Sequence, residues 1–226
     1  MFEIKKVHFP TTTSTQDEAK KLLSTLNPGT LLVVTADFQS AGRGRFQRQW
    51  VSPDKKGLLV SFAFKSPHPE SLTQLFALSV CSVLEHLGFN PQIKWPNDII
   101  LNHKKMGGIL AEVEGNYSIV GIGLNINHEE IDLEINRPAT SLKIETEKEY
   151  FVEEILDALT KTILHDLEIY ANKGFSPFMP SYNKHLMHRL GEKIVIDGKS
   201  VTFEGIKADG ALQASGHTFY TGDISL

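Results

Sequence analysis

In TTTSTQDEAKKLLSTL the apolar residues recur at helical intervals, with Ala19, Leu22, Leu23 and Leu26 on one face. Ser14 and Thr15 stand just ahead, with Asp17 and Glu18 each three residues on, the spacing of a capping box. A short strand over 3–9 precedes this helix. The β-rich apolar run TLLVVTA (30–36), beyond Asn27-Pro28-Gly29, reads as a buried strand, and GLLVSFAF (57–64) as another. A longer helix is predicted over 69–87, with Leu72, Leu75, Phe76, Ser79, Val83 and Leu87 on or near one stripe and Gly88 as its stop. QIKW (92–95) and DIIL (98–101) are strands around Pro96, which biases Trp95 toward extended backbone. KMGGILAEVEG and YSIVGIGLNIN read as paired strands, because Gly115-Asn116 between them is a two-residue hairpin signal. A polar loop covers 127–147. A helix follows over 149–171, with Leu156, Leu159, Ile163, Leu167 and Tyr170 inward, and then a shorter helical piece over 178–189.

From Gly191 the pattern shortens. EKIVIDG, SVTFEGI, ALQAS and TFYTGDI read as strands broken at Asp197-Gly198, Asp209-Gly210 and Ser215-Gly216, which predicts a small β-barrel or meander. The chain therefore divides into a larger unit, 1–188, and a small β unit, 189–226. Hairpin signals outnumber βαβ signals in the larger unit. Its class is α+β, with a mixed, mostly antiparallel sheet.

Composition narrows the function. Apolar residues make up 41% and charged residues 22%, as in a soluble globular protein. A formal net charge of −4 argues against bulk binding to nucleic acid or an anionic membrane, so any anion site must be local. The single cysteine, Cys81, precludes an internal disulfide and reads as a small core residue. No apolar run reaches membrane-span length and the N-terminus lacks a signal-peptide core, so a cytoplasmic protein is expected. His185 and His188 are three apart, but without a third ligand nearby they read as a solvated helix face rather than a metal site.

Against that acidic balance stands AGRGRFQRQW (41–50). Gly42 and Gly44 let a ligand approach main-chain N–H groups, and Arg43, Arg45 and Arg48 offer planar forks for carboxylate or phosphate. Two readings stay open: a loop that folds over an anionic ligand and is mobile until that ligand orders it, or a solvated loop with surface arginines. KWPNDII sets Asn97 and Asp98 where a strand begins, as nucleotide or magnesium contacts or as turn chemistry. In HKKMGGIL a lysine stands beside two strand glycines, Gly107 and Gly108, which mark close approach of a ligand or a tight hairpin. In GIGLNIN, Gly121 and Gly123 leave one strand face bare. Ile126 occupies the place of a third glycine, which excludes a dinucleotide fingerprint, and no GxxxxGK[ST] motif is present.

The succession S-T-Q, Q-S-A-G-R-G-R-F-Q-R-Q-W, K-W-P-N-D, K-K-M-G-G-I-L and G-I-G-L-N-I-N resembles the biotin–protein ligases over nearly the whole chain. Lipoate ligases share the fold, but their RRxSGGG-type loop is missing. The resemblance implies a catalytic domain like class II aminoacyl-tRNA synthetases and an SH3-like C-terminal domain. It implies formation of biotinyl-5′-AMP from biotin and ATP with Mg²⁺, then transfer to a lysine of a biotin carboxyl carrier protein, with no tightly bound cofactor. Since the pattern begins by Ser14, a form without the DNA-binding winged helix is expected, with no DNA or membrane partner and a homodimer possible through a sheet edge.

The roles implied are these. Ser14, Thr15, Gln16 and Gln39 contact the biotin ring, Gln16 standing where the family has Asn. Gly42, Arg43, Gly44 and Arg45 close over the biotin tail and adenylate, and Gly107, Gly108, Gly121 and Gly123 wall the pocket. Arg45, Arg48, Trp50, Asn97, Asp98, Lys105 and Asn125 serve ATP, with Lys105 also at biotin, Asp98 at magnesium, and Lys105 and Arg45 catalytic. Two rivals remain: a lipoate or octanoate ligase of the same fold, and a non-catalytic module using RGR as an anion or RNA patch.

Overall fold

The computed structural model describes residues 2–53, 55–66, 69–131 and 138–225. A seven-stranded sheet is built from β1 (Glu3–Thr12), β2 (Thr30–Gln39), β3 (Gly57–Lys65), β4 (Gln92–Lys94), β5 (Asp98–Leu101), β6 (Lys104–Glu114) and β7 (Tyr117–Asn125), in the order β1-β2-β3-β7-β6-β5-β4. β1 and β2 are parallel, because helix α1 (Thr15–Leu22) carries the chain across between them; the other pairs are antiparallel. The β6–β7 turn is Gly115-Asn116, as its hairpin signal predicts, with Gly115 at φ 56°.

Strand alternation sorts the side chains. Leu31, Val33, Leu58, Val60, Phe62, Phe64, Val120, Ile122 and Leu124 face α2 (Leu72–His86) and α4 (Val152–Lys173) in the main core. Fully burying such a side chain contributes about 1.5–3 kcal/mol. On the opposite face Leu32, Val34, Ala63 and Ile119 receive Ala19 and Leu23 from the α1 segment. α1 covers only part of that face. The remainder, bearing Gly108, Gly121 and Gly123, is the floor of the site described below.

A second, antiparallel sheet holds β8 (Lys193–Ile196), β9 (Lys199–Ile206), β10 (Leu212–Ala214), β11 (His217–Phe219) and β12 (Ile224–Ser225), in the order β11-β10-β9-β8-β12. It shares the main core through Ile194, Ile196, Phe203, Leu212 and Ile224. Trp95 is buried between the two sheets, its Nε1–H donating to Gly210 O at 2.9 Å, and the peptide bond to Pro96 is cis.

Several expectations are corrected. Ser14 holds the N-cap position, but its side chain makes no cap hydrogen bond: Asp17 turns to Arg43, and Glu18 accepts from Thr12 Oγ1 and Lys21. Leu87 is the C-cap of α2 and is exposed. The predicted loop 127–147 contains α3 (Leu142–Thr146), capped by Ser141 Oγ accepting from Ile144 N, while residues 132–137 lie outside the described residues. TFYTGDI is two strands, with Thr221–Asp223 forming the turn between β11 and β12. His185, on α5 (Met179–His185), and His188 are not solvated but 6% and 8% exposed, paired with Glu85 and Glu192. Among the described residues no group of three metal-ligating side chains occurs. Cys81 is buried, and burial pushes its thiol far above the ordinary range.

Candidate active site

The arginine loop is a small hairpin. Trp50 N–H donates to Gly42 O at 2.9 Å, Gly44 N–H to Arg48 O at 2.7 Å, and Phe46 and Gln47 form the tip in left-handed backbone. Gly42 is obligatory by contact, since a Cβ there would lie 2.6 Å from Trp50 O. The hairpin carries the Trp50 indole onto the bare sheet face. A Cβ on Gly123 would sit 2.4 Å from Trp50 Cε2, and Gly108 lies under the same ring and the Lys105 stem. The second bare residue, Gly121, lies under the Gln16 carboxamide, whose Oε1 would be 2.5 Å from a Cβ. Gly107 belongs elsewhere. It pairs with Leu124 and faces the helices, where a Cβ would meet Leu124 Cδ2, so it is a packing glycine and not a pocket wall.

A polar chain crosses this floor. Thr15 N–H and Oγ1–H both donate to Gln39 Oε1 (2.7 and 3.0 Å), and Thr15 Oγ1 lies 2.8 Å from Ser61 Oγ. Ser61 donates to Gln16 Oε1 at 3.2 Å, and Gln16 Nε2 donates to Glu112 at 2.9 Å. Thr15, Gln16, Gln39, Gly108, Gly121, Gly123 and Trp50 therefore share one face. Ser14 is buried and offers its carbonyl to Glu18 N–H.

The cationic end lies at β5 and β6. Lys105 is held by parallel pairing to Ala139: its N–H donates to Pro138 O and its carbonyl accepts from Thr140 N. Its Nζ is 2.6 Å from Asp98 Oδ1 and 5.9 Å from the Trp50 ring centroid. Lys104 turns away to Glu145, which separates the two lysines of the motif. Asn97 Nδ2–H donates to Ile109 O, and Asn97 Oδ1 accepts from Arg45 at 3.2 Å. Asn125, on the site face, donates to Thr140 O.

The three arginines part company. Arg43 makes a bidentate pair with Asp17 (2.6 and 2.7 Å), which lowers the acid's pKa and raises that of the guanidinium. Arg48 reaches Asp223 at 2.6 Å in the second sheet. Arg45 donates to Thr221 Oγ1 (2.7 Å), Gly222 O (3.1 Å) and Asn97 Oδ1, while burial depresses its pKa. Arg45 also lines a cavity of about 510 Å³ with Gln74, Pro96, Leu110, Gly210 and Thr221. Each of the three guanidiniums has a protein partner.

Ser61, Glu112 and the Thr221–Asp223 turn escape the sequence reading. Ser61 is the polar residue in an otherwise apolar strand, and Glu112 follows Gly108 by two strand periods. Those were the available signals; the turn gave none.

The glycine face, covered by the Trp50 indole and the Gln16 carboxamide and flanked by a hydrogen-bonding chain, ends at a half-buried guanidinium and an ammonium, a set of groups suited to a polar ring and an anionic tail. Residues 8–127 match the model of the biotin/lipoate A/B protein ligase family, and the chain belongs to that family. The biotin–[acetyl-CoA-carboxylase] ligase of Paracoccus denitrificans is 31% identical, over 89% of this chain and 90% of its own. The bifunctional ligase/repressor BirA of Bacillus subtilis is 40% identical over 57% of this chain, which spans 43% of that relative's length. The biotin protein ligase of Aquifex aeolicus, solved with biotin and ATP, superposes with a TM-score of 0.84 at 30% identity, covering 97% of both chains.

Proposed function

We propose that this protein is an ATP-dependent biotin–protein ligase. The observation that carries the reading is the convergence of Arg45, Asn97, Asp98 and Lys105 at one end of the glycine face that Trp50 covers, with the Gln39–Thr15–Ser61–Gln16 chain along it. The ring of biotin lies along that chain, and its carboxylate points to the cations.

A biotin carboxylate oxygen attacks the α-phosphorus of ATP. The bond to the β-phosphate oxygen breaks, and pyrophosphate leaves with that electron pair. The carboxylate is already a nucleophile, so positioning and positive charge supply the catalysis. Arg45 and Lys105 stabilise the charge on the α-phosphate oxygens, Arg48 and Trp50 serve the nucleotide, and Asn125 lies on its adenine side. In the second step a carrier-domain lysine amine attacks the acyl carbon, AMP departs with the C–O pair, and the amine gives its proton to solvent. Trp50 and the loop exclude water from the mixed anhydride.

Asp98 fits Mg²⁺ as a single carboxylate, since this ion keeps several waters and binds through one or two carboxylates plus substrate phosphates. When bound it neutralises the pyrophosphate. Residues 1–188 are assigned to catalysis and 189–226 to an SH3-like unit; a cytoplasmic location belongs to the same reading.

Pyrophosphate release from ATP is the test, with biotin, lipoate or octanoate as the acid. Release with biotin well above the slow release with lipoate or octanoate, followed by a biotinyl mass increment on a carrier domain, is expected. Release with lipoate or octanoate but not biotin overturns the assignment.

A further inference from the structure

Gln16 is a longer arm than the asparagine expected at its position, and the structure uses the extra length. Its carboxamide bridges two strands, accepting from Ser61 Oγ of β3 and donating from Nε2 to Glu112 Oε2 of β6. Glu112 lies on the site face, two residues beyond Leu110, which pairs with Gly121. Lys20, one helical turn after Gln16, places its Nζ 3.1 Å from the same Glu112 oxygen. Arg43 also feels the Glu112 charge.

The chemistry of these partners decides which way the amide points. An ionised carboxylate only accepts hydrogen bonds, whereas an amide has a donor end and an acceptor end. Glu112 therefore fixes the Gln16 NH₂ toward β6 and leaves Oε1 over Gly121, beside the Ser61 hydroxyl. Lys20 pairs with the carboxylate and holds it in place. The other end of the chain is set the same way: Gln39 Oε1 is occupied by the N–H and hydroxyl of Thr15. The site thus presents an acceptor of fixed direction at Gln16.

We propose that Glu112, held by Lys20, is a positioning residue that sets ligand selectivity: it locks the Gln16 amide so that Oε1 faces a ring N–H donor of the ligand. The inference rests on the biotin reading, whose cyclic urea supplies such N–H groups. A ligand ring with neither N–H nor O–H gains nothing from the lock.

The test compares wild type, Glu112→Gln and Lys20→Met in the full-length protein. Biotin dissociation constants come from calorimetry without ATP. The kinetic constants come from pyrophosphate release with biotin and with lipoic acid, an acid whose ring has no N–H. In Glu112→Gln the residue at 112 can present either end of an amide, so the lock is lost. Biotin Kd and KM are expected to rise about tenfold, the effect of one hydrogen bond of about 1.4 kcal/mol. The kcat at saturating biotin, the KM for ATP and the lipoic acid rate should stay within about twofold, so discrimination falls by the same factor. Lys20→Met should act in the same direction and less strongly. The side-chain ¹⁵NH₂ signal of Gln16, read without any ligand, should lose its exchange protection in Glu112→Gln. Unchanged biotin affinity in that variant overturns the proposal, as does an equal loss for biotin, lipoic acid and ATP together with a lowered Tm, which marks a packing role. Failure of the wild type to bind or activate biotin overturns the functional reading itself and the selectivity proposal with it, while the NMR result still reports on the lock.

Discussion

Removing Lys105 should damage both chemistry and stability, and the structure allows the two to be separated. Lys105 Nζ lies 2.6 Å from Asp98 Oδ1, with side chains 29% and 11% exposed. Lys105→Ala leaves a largely buried carboxylate without its nearest cation, and orphaning a buried hydrogen-bonding group costs about 1–3 kcal/mol. Asp98 keeps the more distant charge of Arg45, which places the cost toward the lower half of that range. At about 2–4 °C per kcal/mol for a chain of this size, Tm should fall by about 2–8 °C. Pyrophosphate release with biotin and ATP should fall by about 10²–10³, the typical effect of deleting one oxyanion donor. The double variant Lys105→Ala/Asp98→Asn removes the orphaned charge. It should regain most of the lost Tm in calorimetry and none of the lost rate. Near-normal pyrophosphate release from Lys105→Ala would remove this lysine from the mechanism, and a double variant no more stable than the single one would refute the account of the ion pair.

Three further outcomes follow from single contacts. Asp223→Asn frees Arg48 from a pair whose members are 53% and 26% exposed, so stability should change by less than about 1 kcal/mol, while release of the adenylate, followed by filter binding, should quicken roughly threefold to tenfold; unchanged release removes the second sheet from loop control. Gly123→Ala sets a Cβ 2.4 Å from Trp50 Cε2, and overpacking of this kind costs about 1–3 kcal/mol; tryptophan fluorescence should shift as the indole is displaced, and biotin KM should rise. Asp166 accepts from Ser79 Oγ between α2 and α4, and burial holds its carboxyl above the ordinary carboxylate range. The folded chain therefore keeps a proton that the unfolded chain gives up, so this contribution is complete below the ordinary value of about 4 and is lost as pH rises through the folded value. Asp166→Asn should raise stability at neutral pH by about 1 kcal/mol and flatten its pH dependence in denaturant titrations.

The periodicities carried most of the fold. Alternation in GLLVSFAF and the paired glycine strands, with Gly115-Asn116 between them, specified β3, β6 and β7 and the bare face between them. The β1–β2 parallel pair was legible as a βαβ signal, a strand, helix and strand over 3–36, and it is the parallel element of the expected mixed sheet. Motif spacing located the cations but not their partners. Thr221–Asp223 was hidden inside TFYTGDI, which alternates like a strand; its meeting with Arg45 and Arg48 spans some 175 residues of sequence. Gly107 and Gly108 look equivalent in KKMGGIL, yet adjacent strand residues face opposite ways, so only one can line the site. His185 and His188 were misjudged for a related reason: spacing reveals a shared face, not what packs over it.

The contacts of the loop also rank its cations. Arg43 is committed to both oxygens of Asp17, Arg48 to Asp223 and Lys105 to Asp98, all carboxylate partners. Arg45 alone among these four bonds to neutral oxygens, those of Thr221, Gly222 and Asn97, in the most desolvated position of the loop. A charge-assisted bond is roughly twice as strong as one to a neutral acceptor, so exchanging these oxygens for a phosphate improves Arg45's partners, whereas the others would trade one anion for another. Under the proposed adenylation, the nucleotide's gain is therefore largest at Arg45. The same exchange releases Thr221 and Gly222, so binding at Arg45 and the grip of the second sheet on the loop are opposed through one guanidinium.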